Sequence, residues 1–214
     1  MKIVFIFAHL DDESFGPAGT ISKLCENNEV TIVSLCKGNR PGNEHVESKR
    51  LESFYKVCDY FGAQPLVFGN SDCTLELKTC LLDVESVINN LKPDAVFTNN
   101  ISDIHRDHRI VSECVMVACR PKPESSVKEL YMCEIPASTE WSMGQIEPIF
   151  TPNYFVDVSD YMFEKRQVLS FYDTEIYSYP DARSEKGMTV LSEHRGKQIG
   201  FNNAEAFKLV YSRQ

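Results

Sequence analysis

Phe5-Ile6-Phe7-Ala8-His9-Leu10-Asp11-Asp12-Glu13 is the stretch on which the reading of this chain turns. From Lys2 an apolar run continues to Ala8, the pattern of a β-strand covered on both faces. It stops abruptly at one imidazole and three carboxylates. A strand that ends in His and Asp sets those side chains at one edge of a sheet, where they can hold a metal ion.

Outward from this strand, strand-like and helix-like segments alternate. Residues 17–27 read as a helix with Pro17 near its start. Residues 29–36 (EVTIVSLC) form a second strand, and 44–61 an amphipathic helix that Gly62 ends. Residues 65–69 are a third strand, 77–91 a helix stopped by Pro93, 94–98 (DAVFT) a fourth strand, 107–119 a helix and 127–135 a fifth strand. The alternation predicts an α/β, Rossmann-like doubly wound fold: a mostly parallel sheet of order 3-2-1-4-5 with helices on both faces. The last third is less regular. It reads as a strand at 154–158, a helix at 160–172, a loop at 178–187 and a short final helix at 203–211. No repeat, linker or low-complexity tract interrupts the chain, so residues 1–214 are read as a single domain.

Composition narrows the classes. With 43% hydrophobic and 25% charged residues, the 214-residue chain is ordinary for a globular protein. A net charge of −9 and the lack of a basic stripe argue against a nucleic-acid partner. The eight cysteines form no C-x-x-C pair, and several lie in apolar runs, as reduced thiols of a cytoplasmic protein do. No stretch approaches the ~20 apolar residues of a membrane span. The N-terminal run meets acids where a signal peptide would carry small residues.

A second cluster, His105-Arg106-Asp107-His108, follows the fourth strand. In the order 3-2-1-4-5 strands 1 and 4 are neighbours, and their carboxyl ends flank the crevice where such sheets bind ligands. Three of the five histidines fall at these two strand ends. His9, Asp12 and His108 can supply two nitrogens and a carboxylate, a set that leaves catalytic zinc one open position. Asp11 is then free to act as a base on water that the ion acidifies. His105 could donate to a developing oxyanion or to the leaving group. Asp107 could orient a ligating imidazole. In isolation, Asp-Asp-Glu also fits a solvated helix N-terminus, and His-x-x-His a surface helix pair. His45 and His194 stay unassigned at this level.

At these residues the chain resembles the PIG-L / LmbE-like family of zinc-dependent N-acetylglucosaminyl deacetylases. The family pattern is Ala-His-Pro-Asp-Asp-Glu after strand 1 and His-x-Asp-His after strand 4. Here they read Ala8-His9-Leu10-Asp11-Asp12-Glu13 and His105-Arg106-Asp107-His108. Gly16 and Gly19, the charged pair Arg50 and Glu52, and the segments Ile199-Gly200 and Ala204-Glu205-Ala206-Phe207 extend the likeness over nearly the whole chain.

The resemblance implies one LmbE-like deacetylase domain that binds one Zn2+, or another divalent metal, through His9, Asp12 and His108. It makes Asp11 the general base, His105 an acid or oxyanion donor, and Asp107 a support. The implied substrate is a small N-acetylated amino sugar or its conjugate, giving a free amine and acetate; a homo-oligomer is compatible with it. Arg50, Arg183 and His194 are the candidate substrate contacts. Trp141 and Tyr172 are aromatics that either stack on a sugar or pack internally. Alternatives are an amidase acting on a thiol-sugar conjugate and a metal-binding module without catalysis. The departure is Leu10 where the family has Pro, which removes a φ restraint and no ligand.

Overall fold

A computed structural model describes residues 1–39 and 46–213. Its centre is β1 (Lys2–Phe7), in which every residue after Lys2 is buried. Ile3, Phe5 and Phe7 face one apolar layer and Val4 and Ile6 the other, as the two-residue period of a strand requires. Two short helices follow, α1 (Asp12–Phe15) and α2 (Ala18–Cys25). Next come β2 (Glu29–Cys36), α3 (Glu47–Phe61), β3 (Gln64–Asn70), α4 (Leu77–Leu91), β4 (Ala95–Thr98), α5 (Arg106–Ala118) and β5 (Glu129–Cys133). The remainder is β6 (Tyr154–Asp157), α6 (Met162–Leu169), α7 (Glu185–Lys197) and β7 (Ala204–Ser212).

The strands form one seven-stranded sheet of order β3-β2-β1-β4-β5-β7-β6. β1 pairs in parallel with both β2 and β4, so the expected core order 3-2-1-4-5 is present. Two antiparallel strands extend it beyond β5. One face packs against α2, α3 and α6 through Ile21, Phe54, Val57 and Val168. The other packs against α4 and α5 through Val84, Val87, Val111 and Val115. Phe5, Phe97 and Tyr131 are register partners on β1, β4 and β5, and their rings stack at 4.6 and 4.5 Å. This column fixes the height of β1 against β4, and with it the height of the loops that follow them.

Several expectations need correction. Residues 203–211 are not a helix: Ala204–Ser212 is β7, paired with both β5 and β6. Ala, Glu, Lys and Leu favour helices locally, but Phe207 and Leu209 lie two apart and both reach the same apolar layer, so pairing prevails. The helix expected at 160–172 is shorter, a 3₁₀ turn at Ser159–Tyr161 and then α6. The loop at 178–187 ends early, because Ser184 accepts the Gly187 N–H at 2.9 Å and caps α7. Of the helix expected at 44–61, residues 44 and 45 lie outside the described residues. From Glu47 it runs to Phe61 and ends at Gly62 (φ 70°), as expected.

Candidate active site

The end of β1 is tied to β2 by backbone and to the loop after β4 by a side chain. Cys36 donates its N–H to the Ala8 carbonyl at 2.9 Å, and Asn99 Oδ1 accepts the Ala8 N–H at 2.8 Å. His9 therefore leaves the sheet beside the segment that leads to α5. His105 caps α5, its Nδ1 accepting the Asp107 N–H at 3.3 Å, and His108 points back from the first turn.

His9, Asp12 and His108 converge. His9 Nδ1 lies 3.1 Å from His108 Nε2, and the Asp12 carboxylate oxygens lie 3.8 Å from the first and 3.4 Å from the second. Donors around a tetrahedral ion at Zn–N and Zn–O bonds of about 2.0–2.1 Å stand about 3.4 Å apart, so the set fits such an ion. The opposite nitrogen of each ring faces a carboxylate. His9 Nε2 is 3.1 Å from Asp107 Oδ2, and His108 Nδ1 is 2.8 Å from Asp103 Oδ2. These contacts put a ring proton on each outer nitrogen and aim the inner nitrogens at each other, an arrangement that needs a cation between them, proton or metal.

Charge effects agree. Burial alone would raise the Asp12 carboxyl, but His108, then His9 and the Asn99 amide, hold it well below the usual carboxylate range. Burial alone would lower His108, but Asp12 and Asp103 lift it to about 10. The position thus favours positive charge, whether proton or metal. His105 goes the other way: burial, with His9 and His108 beside it, lowers it to about 4, so it is neutral. With Nδ1 accepting from the backbone, its proton sits on Nε2.

Asp11 sits at φ 133°, a conformation that side chains other than glycine rarely adopt. Three contacts hold it there. Its N–H donates to Glu13 Oε2 at 3.0 Å, Arg50 Nη2 donates to its Oδ2 at 3.1 Å, and Arg183 Nη2 donates to the same oxygen. Glu13 is fully buried; its other oxygen accepts from the hydroxyls of Ser14 and Tyr172, each at 2.8 Å. Burial first, and the Asp11 charge second, raise Glu13 to about 7.

Leu10, which stands where proline is expected, is wholly buried in the core. Gly38 (φ 85°) lies so close that an added Cβ would come within 2.7 Å of Leu10 Cδ1. The Leu10 carbonyl accepts from Arg50 Nη2 at 3.0 Å. Packing and this bond restrain the turn that a proline ring would otherwise stiffen.

These groups open onto a cleft of roughly 550 Å³, also lined by Trp141, Glu175 and Tyr177. Arg50 and Arg183 line it, but both are engaged. Arg50 also donates to Asp72 Oδ2 at 2.8 Å and to the Gly38 carbonyl at 3.3 Å, and Arg183 lies 3.9 Å over the Phe15 ring. His194 is not brought to the cleft. It projects from the exposed side of α7, whose buried side is Met188, Ser192 and Gly196. Tyr172 is buried against Glu13 and has no face for a sugar. Sequence reading missed Asp103, the partner of His108; an acid two residues before His105, at the mouth of α5, was the available signal. Glu13 and Tyr172 were in view, but their contact, 159 residues apart, leaves no local pattern.

Comparison with known proteins places this arrangement. The structure resembles 4-carboxy-2-hydroxymuconate hydratase GalB of Pseudomonas putida KT2440, with a TM-score of 0.79 and 18% identity over 100% of this chain and 98% of that one. It also resembles N,N'-diacetylchitobiose deacetylase of Pyrococcus horikoshii, with a TM-score of 0.80 and 19% identity over 98% of this chain and 84% of that one. At such identities the likeness is one of fold. In sequence, the chain is 28% identical to the uncharacterized deacetylase YaiS of Escherichia coli (strain K12) over 130 residues, 57% of this chain and 70% of that protein. The family model described as GlcNAc-PI de-N-acetylase matches residues 4–119, which include both histidine clusters, and the chain therefore belongs to the PIG-L family of deacetylases.

Proposed function

We propose that the protein is a zinc-dependent hydrolase that removes the acetyl group from an N-acetylglucosamine-type amino sugar or its conjugate. The observation that carries this reading is the convergence of His9 Nδ1, His108 Nε2 and the Asp12 carboxylate beside Asp11, at the mouth of one cleft. His9, Asp12 and His108 would hold the ion. When bound, zinc acidifies water and polarises a carbonyl oxygen.

The other residues do the rest. Asp11 takes a proton from the attacking water. The water oxygen bonds to the acetyl carbon, the C–N bond breaks, and the proton passes to the amine nitrogen, leaving acetate and a free amine. Neutral His105 directs its Nε2–H at the oxygen on which negative charge develops; a neutral donor suits that role better than an acid would. Asp107 and Asp103 fix the rings of His9 and His108. Arg50 and Arg183 act on Asp11, holding its Oδ2, and the substrate-contact role expected for them narrows to that. Trp141 and Tyr177, half exposed at the cleft, offer faces to a sugar ring.

The eight thiols are unpaired, which suits the cytoplasm, and among the described residues no helix is long and apolar enough to cross a membrane. A small amino-sugar conjugate is the proposed substrate. The likeness to a hydratase supplies the competing outcome. Acetate release should be followed across N-acetylhexosamine conjugates, beside hydration of an unsaturated carboxylic acid. Acetate and free amine formed in equal amounts support the deacetylase; hydration with no acetate from any conjugate sinks it.

A further inference from the structure

Where the turn after β3 meets the start of α5, Cys73, His105 and Asp107 each offer a donor atom, and these atoms all lie within 4.8 Å of one another. Cys73 is the one exposed thiol of the eight, and its Sγ is 3.8 Å from His105 Nε2. Asp107 is buried and holds its neighbours with Oδ2 alone. That oxygen accepts the Cys73 backbone N–H at 2.6 Å and faces His9 Nε2 at 3.1 Å. Its Oδ1 is shut off from solvent with no partner among the described residues. An unpaired buried carboxylate oxygen is costly, and a cation is the ligand that most directly offsets that cost. Thiolate, imidazole and carboxylate together suit zinc and softer ions of the same charge.

We propose that Cys73, His105 and Asp107 form a second, weaker site for a soft divalent cation, and that filling it inhibits the enzyme. On binding, the Cys73 thiol gives its proton to solvent as the metal–sulfur bond forms. His105 moves its ring proton from Nε2 to Nδ1 and gives up the 3.3 Å bond from the Asp107 N–H. That exchange makes the site weaker than the one between His9, Asp12 and His108. It also takes the Nε2–H donor out of the cleft. The inhibitory half rests on the deacetylase reading, and the binding half does not.

Titration of metal-free protein with Cd2+, followed by thiolate-to-cadmium charge-transfer absorption and by proton release, tests the proposal. The first equivalent should bind without the thiolate band and the second with it. Cys73→Gly keeps the backbone N–H that Asp107 needs and suits the φ of 65° at this position. This variant should lose the band and the second equivalent while keeping the first. Cys73→Ser should behave alike. Wild-type protein that never develops the band, or a band of equal strength in Cys73→Gly, overturns the site. Failure of the first-site reading looks different: the first equivalent is missing while the thiolate band remains. In acetate release, zinc beyond one equivalent should inhibit the wild type and spare Cys73→Gly; equal inhibition of the two overturns the inhibitory half.

Discussion

His108 Nε2 stands 3.1 Å from His9 Nδ1, while the far nitrogen of each ring is held by a carboxylate, Asp103 for the first and Asp107 for the second. The inner pair is thereby aimed at one point, and the outer carboxylates carry the aim. Asp103 is itself fixed, accepting from Thr139 Oγ1 at 2.7 Å. Asp103→Ala should lower zinc affinity about 10–100-fold, the usual effect of losing such a partner, while His9, Asp12 and His108 all remain. Competition against a chelator of known affinity measures this. An unchanged affinity would show that His108 needs no orienting group.

Zinc affinity should rise with pH. With His108 raised to about 10, the metal-free protein carries a proton where the ion would sit, and each bound ion displaces it. From pH 6 to 9 the apparent affinity should gain about tenfold per pH unit from this group alone. In the metal-free protein the same shift has the opposite consequence for folding. Its stabilisation is complete below the unfolded value near 6.5 and is lost as pH rises toward 10. Buffered metal titrations at several pH values, with thermal melts of the metal-free form, check both directions.

Asp11→Asn should keep the metal and lose turnover. Arg50 and Arg183 can still donate to an amide oxygen, so the turn survives while the base is gone. General base catalysis contributes typically 10²–10⁴-fold, so kcat should fall by about that factor with zinc content unchanged. Elemental analysis beside initial rates separates this from simple loss of metal.

Glu13→Gln should flatten a pH dependence of stability. Glu13 is raised to about 7, so the folded state holds its proton more tightly than the unfolded chain does. For a carboxyl shifted upward, stability falls as pH rises from about 4.5 to about 7, by on the order of 3 kcal/mol. Glutamine can still accept the Asp11 N–H and does not titrate. Denaturant unfolding of the metal-free protein at pH 5 and pH 8 should show a fall that is smaller in the variant by the Glu13 part, the part due to His108 above about pH 6.5 being common to both.

The sheet's first five strands were legible because strand and helix periods alternate cleanly up to Cys133, and the two histidine clusters were legible because each ends a strand. What stayed hidden depends on distant partners. β7 carries a helix-favouring composition and becomes a strand only because β5 and β6 flank it. α7 carries two glycines and few apolar residues, so no helical stripe announces it. Arg183 did stand out as a candidate, yet its contact with Asp11, 172 residues away, did not. A long-range ion pair of this kind has no spacing to read.

In the proposed reaction His9, Asp12 and His108 hold one zinc ion that acetyl hydrolysis requires. The most direct test of this is acetate release from an N-acetylglucosamine conjugate by chelator-stripped protein, before and after one equivalent of zinc. The stripped protein should release none, and one equivalent should restore full turnover. Stripped protein that releases acetate at the reconstituted rate would contradict the account.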